Sequence, residues 1–400
     1  MAATTLDLER LRADTPGTAE RIHFNNAGAG LMPRPVLDAM ISHLELEARI
    51  GGYEAADATE EAFDDFYVQV ARLVGTRPEN IAFANNATDA YARALSAIPF
   101  ERGDVILTTR NDYISNHIAF LSLGRRFGVE VVHAPDGPEG GVDLDAITKL
   151  MRERRPRLVA VTHIPTSSGL VQPVAEIGRV ARELDLLYLV DACQSIGQYR
   201  LDLDEIGADF LSVTGRKFLR GPRGSGFLAV SDRVLESTME PLFVDMRGAN
   251  WTGPTSYERV PDAKRFEDWE FSYALVLGLT EAVRYALDVG VDVVEARTPG
   301  LGAALRERLA AIDRVRILDP GRERCAIVTF DVEGHDDPEG LKRAFGERRI
   351  NSSVAHRSSA LLDFDDKGVE WALRLSPHYY NTEQELDDVV AAAEEIVAGL

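Results

Sequence analysis

The sequence predicts an α/β protein: a large domain on a mostly parallel sheet covered by helices, followed by a smaller α+β domain. Three observations predict it. Short apolar runs alternate with helical stretches through the first two-thirds of the chain, the pattern of parallel strands joined by helical crossovers. At 400 residues and 45% hydrophobic content, the chain can bury one large core, or a large and a small one. Beyond about residue 256 the alternation gives way to long helical stretches and separated strands.

In order, "NIAFANN" reads as a strand entering the helix "YARALSAI", and "DVILTTR" as a strand entering "SNHIAFLSLGRRF". The strand "VEVVHA" leads to the helix "VDLDAITKLMRERR", "RLVAVTHI" to "PVAEIGRVARELD", and "LLYLVDA" closes the series. "ADFLSVTGRK" is a strand into a turn, and "GSGFLAV" a strand leaving it. After residue 256, "YALVLGLTEAVRYALDVG" and "VVEARTPGLGAALRERLAAI" read as helix. Strands "VRILD" and "CAIVTFDV", a helix "PEGLKRAFGERR", a strand near "WALRLS" and a terminal helix "EQELDDVVAAAEEIVAGL" follow. The boundaries expected are 1–22 for an N-terminal segment packing with the small domain, 23–256 for the large domain and 257–400 for the small one.

Composition excludes several classes. A formal net charge of -21 opposes phosphate-backbone binding, which needs basic patches to release counterions. The densest basic run, "RERRPR" (152–157), suits a solvated helix end. Cys193 and Cys325 lie far apart in apolar contexts, so neither a disulfide framework nor a cysteine-rich metal site is expected. "GHDDPEG" offers His335 and two acids without metal-ligand spacing, and reads as a solvated loop. No 18-residue apolar run occurs and the N-terminus lacks a signal-peptide core, which points to a cytoplasmic protein.

Two residues carry the chemistry. Lys217 sits in "SVTGRKFLRGPRGSGFLAV", a turn of small residues; alone it would read as a surface charge. Asp191, in "LVDACQS", ends an apolar strand, where open α/β sheets bind ligands; alone it would equally read as a turn cap. Together they suit pyridoxal 5'-phosphate, which needs a lysine to form a Schiff base and a carboxylate to keep its ring nitrogen protonated. Asp191 lies 26 residues before Lys217.

With that spacing the chain resembles the class V aminotransferase and cysteine desulfurase-like group of fold-type I pyridoxal-phosphate enzymes. The resemblance implies a seven-stranded, mostly parallel sheet and a homodimer. "NNATDAYARAL" resembles the family's phosphate-holding helix N-terminus, with Ala87 and Thr88 as ligands. In "TRNDYISNH", Tyr113 takes the place of the ring that stacks on the pyridine. "THIPTSSGLVQPV" resembles the loop near the cofactor's 3-oxygen, with Thr166 where many relatives have asparagine. Asp191 and Gln194 match the ring-nitrogen partner and the group near the phenolic oxygen. Thr214 and Arg216 match a serine and a histidine that bind phosphate before the lysine. Arg374, in "ALRLSPHYYNTEQELDDV", matches the arginine that clamps the substrate carboxylate, a task its planar fork suits. "HFNNAGAGLMP" matches the pocket segment, bringing Asn26, Ala27 and Gly28 near substrate, and in "ARIGGYEAADA" Tyr53 faces either the substrate or its own helix. Thr88 as a helix cap, Tyr113 as core and Arg374 in an ion pair are the ordinary alternatives.

Three departures narrow the activity. The family's desulfurases carry a loop cysteine that attacks the substrate sulfur; the resembling loop, "VAHRSSALLDF", has Ser358 near that position, and a hydroxyl cannot become a persulfide. Arg216 replaces the usual histidine and keeps a positive phosphate ligand. "RFEDWEF" (265–271) has Trp269 and Glu270 where relatives have small residues and a threonine. The resemblance then implies β-elimination of a cysteine S-conjugate or its sulfoxide to thiol or sulfenate, pyruvate and ammonia, as in the C–S lyases of ergothioneine biosynthesis and lincosamide assembly. Aminotransfer, epimerisation (as in isopenicillin N epimerase-like proteins) and oxidative decarboxylation share the same residues. A non-catalytic binding subunit would have no use for Lys217, Asp191 and Arg374 together.

Overall fold

The computed structural model describes residues 6–400; the first five residues of the expected N-terminal segment lie outside them. The chain opens with α1 (Leu8–Ala13), β1 (Ile22–His23), α2 (Arg34–Ile50), α3 (Gly52–Ala58) and α4 (Glu60–Leu73). The alternating part follows: β2 (Ile81–Ala84), α5 (Ala87–Ala97), β3 (Val105–Thr108), α6 (Ile114–Phe127), β4 (Glu130–His133), α7 (Leu144–Arg154), β5 (Leu158–Thr162), α8 (Val174–Glu183), β6 (Leu187–Asp191), α9 (Leu203–Ile206), β7 (Phe210–Thr214) and β8 (Gly226–Val230). Next come α10 (Asp232–Glu236), β9 (Ala249–Gly253), β10 (Ser256–Arg259), α11 (Tyr273–Val289) and α12 (Val291–Ala310). The chain ends with β11 (Val315–Ile317), β12 (Val328–Val332), α13 (Pro338–Glu347), β13 (Ile350–Asn351), β14 (Ser353–His356), α14 (Leu361–Lys367), β15 (Trp371–Leu375) and α15 (Glu383–Ala398).

The large sheet has seven strands in the order β2-β8-β7-β6-β5-β3-β4. All pairings are parallel except those of β8, which runs against both β7 and β2. Its strands are buried on both faces, and alternation sorts them into two cores. Leu107, Val159, Val161, Tyr188 and Val190 face one core, whereas Ile106, Leu158, Ala160, Leu187 and Leu189 face the other. Six strands therefore end at one edge of the sheet, where their loops converge.

The smaller sheet, β11-β12-β15-β14, is antiparallel and packs with α12, α13 and α15 around Leu305, Phe330, Phe345, Leu373 and Val389. Two boundaries differ from the sequence expectation. The helix α11 packs Val276, Leu279 and Val283 into the large core, so the small core begins at α12, after a break at Gly290 (φ 91°). At the other end, β1 pairs with β13 and Phe24 enters the small core, so the first strand belongs there although residue 23 was assigned to the large domain. The chain ahead of it splits its contacts. Leu11 packs with Tyr285 and Val289 of α11 and with Tyr379 and Tyr380, and Arg12 pairs with Glu385 of α15. The hairpin β9–β10 was not anticipated, because its exposed Trp251 and Tyr257 carry no buried alternation.

Candidate active site

The convergent loops enclose a cavity of about 310 Å³ lined by residues at or after the ends of β2, β3, β5, β6 and β7 and by the turn that enters β8. It collects Ala87, Thr88, Tyr113, Thr166, Asp191, Gln194, Thr214, Arg216 and Lys217, the nine positions singled out as cofactor ligands in the sequence. Asn116, Thr162, Ile164, Cys193 and Arg223 line it as well.

One end is built for an anion. The first turn of α5 opens onto it, and Asn86 caps that helix by accepting from the Asp89 amide. The capping alternative for Thr88 thus falls away, and its hydroxyl stays exposed beside the amides of the first turn. Arg216, Lys217 and Arg223 bring three cations to a cavity whose one lining carboxylate is Asp191. Arg216 donates to the Gly28 carbonyl, and burial, with Arg223 nearby, lowers its pKa.

At the other end Asp191 leaves β6 buried. Its Oδ1 accepts from the Cys193 amide at 3.0 Å and its Oδ2 from Asn116 Nδ2 at 3.1 Å. Asn116 also donates to Asp112 Oδ1 at 2.9 Å, and so ties α6 to the carboxylate. Part of the turn-cap alternative is therefore present, on one oxygen only.

Lys217 is 8% exposed, and its amine makes no hydrogen bond or ion pair among the described residues; it stands 6.0 Å from the Tyr113 ring centroid. Burial lowers its pKa, Arg216 and Arg374 add to the effect, and Asp191 opposes it. The turn is fixed from outside. A Cβ on Gly30 would sit 2.5 Å from the Lys217 carbonyl oxygen, and one on Gly197 2.4 Å from Phe218 backbone, so both positions need glycine for close approach. Arg220, at φ 62°, buries its guanidinium against the Tyr380 ring and donates to Thr15, Tyr379 and the Leu31 carbonyl.

The substrate-side residues divide. Arg374 on β15 is 7% exposed, with no acidic partner among the described residues. It donates from Nη1 to the Thr166 hydroxyl (2.7 Å) and carbonyl (2.9 Å), and from Nη2 to Asn25 Oδ1 (3.3 Å). Burial, then Arg216, lowers its pKa to about 10. A desolvated guanidinium with no anionic partner has the chemistry to bind a carboxylate. Ala27 accepts from Gln194 Nε2 at 3.1 Å and Gly28 from Arg216, so their backbone reaches the site. Asn26 is turned into the protein, accepting from the Tyr380 hydroxyl and donating to the Ser376 carbonyl. Its neighbour Asn25, missed in the sequence, meets Arg374. Tyr53 is 76% exposed and does not line the cavity, because α3 presents it to solvent.

Gln194 Oε1, at the cavity, and Arg374 Nε are buried without a hydrogen-bond partner among the described residues, a state that a bound polar group would relieve.

The family model for aminotransferase class-V matches residues 22–389. The chain belongs to this family. A probable cysteine desulfurase of Mycobacterium leprae is 30% identical over 417 residues, covering 98% of this chain and 97% of the relative. A probable hercynylcysteine sulfoxide lyase of Mycobacterium tuberculosis is 29% identical over 391 residues, covering 98% and 93%. The apo cysteine desulfurase of Thermococcus onnurineus NA1 superposes with a TM-score of 0.91 over the full length of both chains, at 26% identity. This class-V protein is therefore a cysteine desulfurase-like enzyme whose cofactor is pyridoxal 5'-phosphate. The residues present fit that group: an anion site, a carboxylate and an unpaired amine stand around one cavity. Among the described residues no helix is long and apolar enough to cross a membrane.

The desulfurase branch needs a reactive thiol, and neither cysteine offers one. Cys193 is buried beside Asp191, and burial first, then that carboxylate, raises its pKa well above the ordinary value. Burial raises Cys325 to about 12. Ser358 lies in the loop before α14, at a second cavity. Iodoacetamide treatment of the folded protein is accordingly expected to leave both thiols unalkylated by mass spectrometry; ready labelling of either would contradict their burial.

Proposed function

We propose that the protein is a pyridoxal-phosphate-dependent C–S lyase that cleaves a cysteine S-conjugate, or its sulfoxide, by β-elimination. The observation that carries this reading is an amine, a carboxylate and an anion site gathered around one cavity, in a chain whose two thiols are both buried. The bound cofactor would supply an electron sink for the pair of electrons left at Cα. Lys217 is the residue that joins the cofactor, and Ala87, Thr88, Thr214 and Arg216 hold its phosphate. Asp191, held by Asn116 and the Cys193 amide, would be the carboxylate partner of the ring nitrogen. Tyr113 would hold the ring, and Gln194 and Thr166 its phenolic oxygen.

Arg374 binds the substrate carboxylate, presented by Thr166 and Asn25, and this fixes which Cα bond faces Lys217. The lowered pKa of Lys217 leaves its amine neutral at lower pH than a free lysine, and it takes the Cα proton. The Cβ–S bond then breaks, with the electron pair leaving on sulfur. One thioether and one water give one thiol, one pyruvate and one ammonia; a sulfoxide gives a sulfenate instead of the thiol.

The test is to supply S-substituted cysteines and follow pyruvate and thiol. Equimolar release without an added keto acid is expected; keto acid that appears only when a second keto acid is supplied would establish aminotransfer instead. Arg374→Gln is expected to raise KM and lower kcat/KM by ~10–100-fold, the loss of one or two charge-assisted hydrogen bonds, with smaller losses for amines that lack a carboxylate. Equal losses for both would remove Arg374 from carboxylate binding. A homodimer in the cytoplasm completes the proposal. Leu242, Phe243, Met246 and Trp251 form exposed apolar surface that a second copy would cover, and two reduced, buried cysteines suit a reducing compartment.

A further inference from the structure

A second cavity, of about 400 Å³, adjoins the first. Adjacent residues supply the two: Tyr113 lines one and Ile114 the other, Asn116 one and His117 the other, Ile164 one and Pro165 the other, and Thr166 lines both. The wall between them is therefore the start of α6 and the loop after β5. On its far side the second cavity meets the segment Ser358–Asp363.

We propose that this second cavity receives the sulfur substituent of the substrate, and that the substituent is a bulky, uncharged aromatic or branched aliphatic group. The proposal rests on the lyase reading and names its substrate class. An amino acid whose amine meets Lys217 and whose carboxylate meets Arg374 is held at Thr166, the residue shared by both cavities, so its β-substituent has the second cavity beside it. The lining is mainly apolar, from Ile114, Ile118, Leu121, Val131, Leu361 and Leu362. The arginine and lysine at its rim are paired within the chain, Arg110 with Asp366 at 2.7 Å and Lys367 with Asp363 at 2.7 Å, and the lining carboxylate of Asp112 accepts from Thr108 at 2.8 Å and from Asn116 at 2.9 Å. Neither the arginine nor the lysine is left to meet an anionic substituent. Burial lowers the His133 pKa to about 4, so its ring adds no charge at neutral pH.

The volume exceeds what a thiol or methylthio group fills, and placing an aromatic ring in apolar surroundings is worth ~1.5–3 kcal/mol. The cofactor-loaded enzyme is therefore expected to cleave S-benzyl-L-cysteine with a kcat/KM ~10–100-fold above that for S-methyl-L-cysteine, read as pyruvate formed. Leu121→Trp, at an exposed position on α6, adds bulk to the cavity wall without disturbing a core, and should remove that preference. Leu121→Ala should retain the preference. Calorimetric binding of 2-amino-5-phenylpentanoate, which has no sulfur to lose, should weaken at least tenfold in Leu121→Trp. Equal kcat/KM for the two substrates, or a preference that Leu121→Trp leaves intact, would overturn the assignment. If neither substrate yields pyruvate, the lyase reading fails, and calorimetry still decides whether the cavity takes the ring.

Discussion

Lys217→Ala is expected to abolish turnover, by more than ~10³-fold, and to remove the visible absorbance of the enzyme-bound cofactor. The amine is buried, unpaired and placed between an anion site and a carboxylate. A surface lysine in a turn would be solvated and would cost little to remove. The positions of Gly30, Gly197 and Arg220 bear on the same point, since they hold the backbone on both sides of Lys217. The alanine variant leaves those supports in place, so it should fold with an unchanged melting temperature within a few degrees. A cofactor that borohydride still fixes to the polypeptide in that variant would place the link on another residue.

Asp191→Asn is expected to lower kcat by ~10²–10³-fold, the range found when a preorganised electrostatic group is removed from a water-excluded site. Asparagine keeps the size of the side chain, and its carbonyl oxygen can still accept from either the Cys193 amide or Asn116. What it loses is the charge. The expected signature is therefore a fall in kcat with little change in cofactor affinity or in KM, whereas a purely structural cap would show the reverse: lower stability and weaker cofactor retention with kcat spared. Asn116→Ala should give a milder version of the same defect, because it frees one carboxylate oxygen of Asp191 while the charge remains.

The chain shows in particular places how far local pattern reaches. The strands from "NIAFANN" to "LLYLVDA" were legible because each is an apolar run bounded by a polar turn, and the residues that line the cavity were legible because most follow directly on a strand end. The reversed direction of β8 was not, since an apolar strand reads the same either way. Asn25 and Asn26 show the limit most clearly. Both stand in one irregular segment, and only the pairing of that segment with Ser376 decides which side chain meets Arg374 and which is turned inward. Asn116 reaches Asp191 across 75 residues of sequence, a contact set by the order of β3, β5 and β6 rather than by any motif. Nothing in the turn itself marks Arg220, because the tyrosines it packs against, Tyr379 and Tyr380, come from the far end of the chain. Tyr53 was placed by its glycine turn alone, and the helix that follows faces it outward.

The central claim is elimination at a site that lacks an attacking thiol, and the balance of alanine against pyruvate tests it most directly. The cofactor-loaded enzyme is supplied with L-cysteine and, separately, with an S-substituted L-cysteine, and both amino-acid-derived products are quantified together with sulfur bound to the protein. Pyruvate, matched by ammonia and by free thiol from the substituted substrate, with no alanine and no protein-bound persulfide, is the predicted result. Alanine accompanied by persulfide on Cys193 or Cys325 would contradict the account and return the protein to desulfuration.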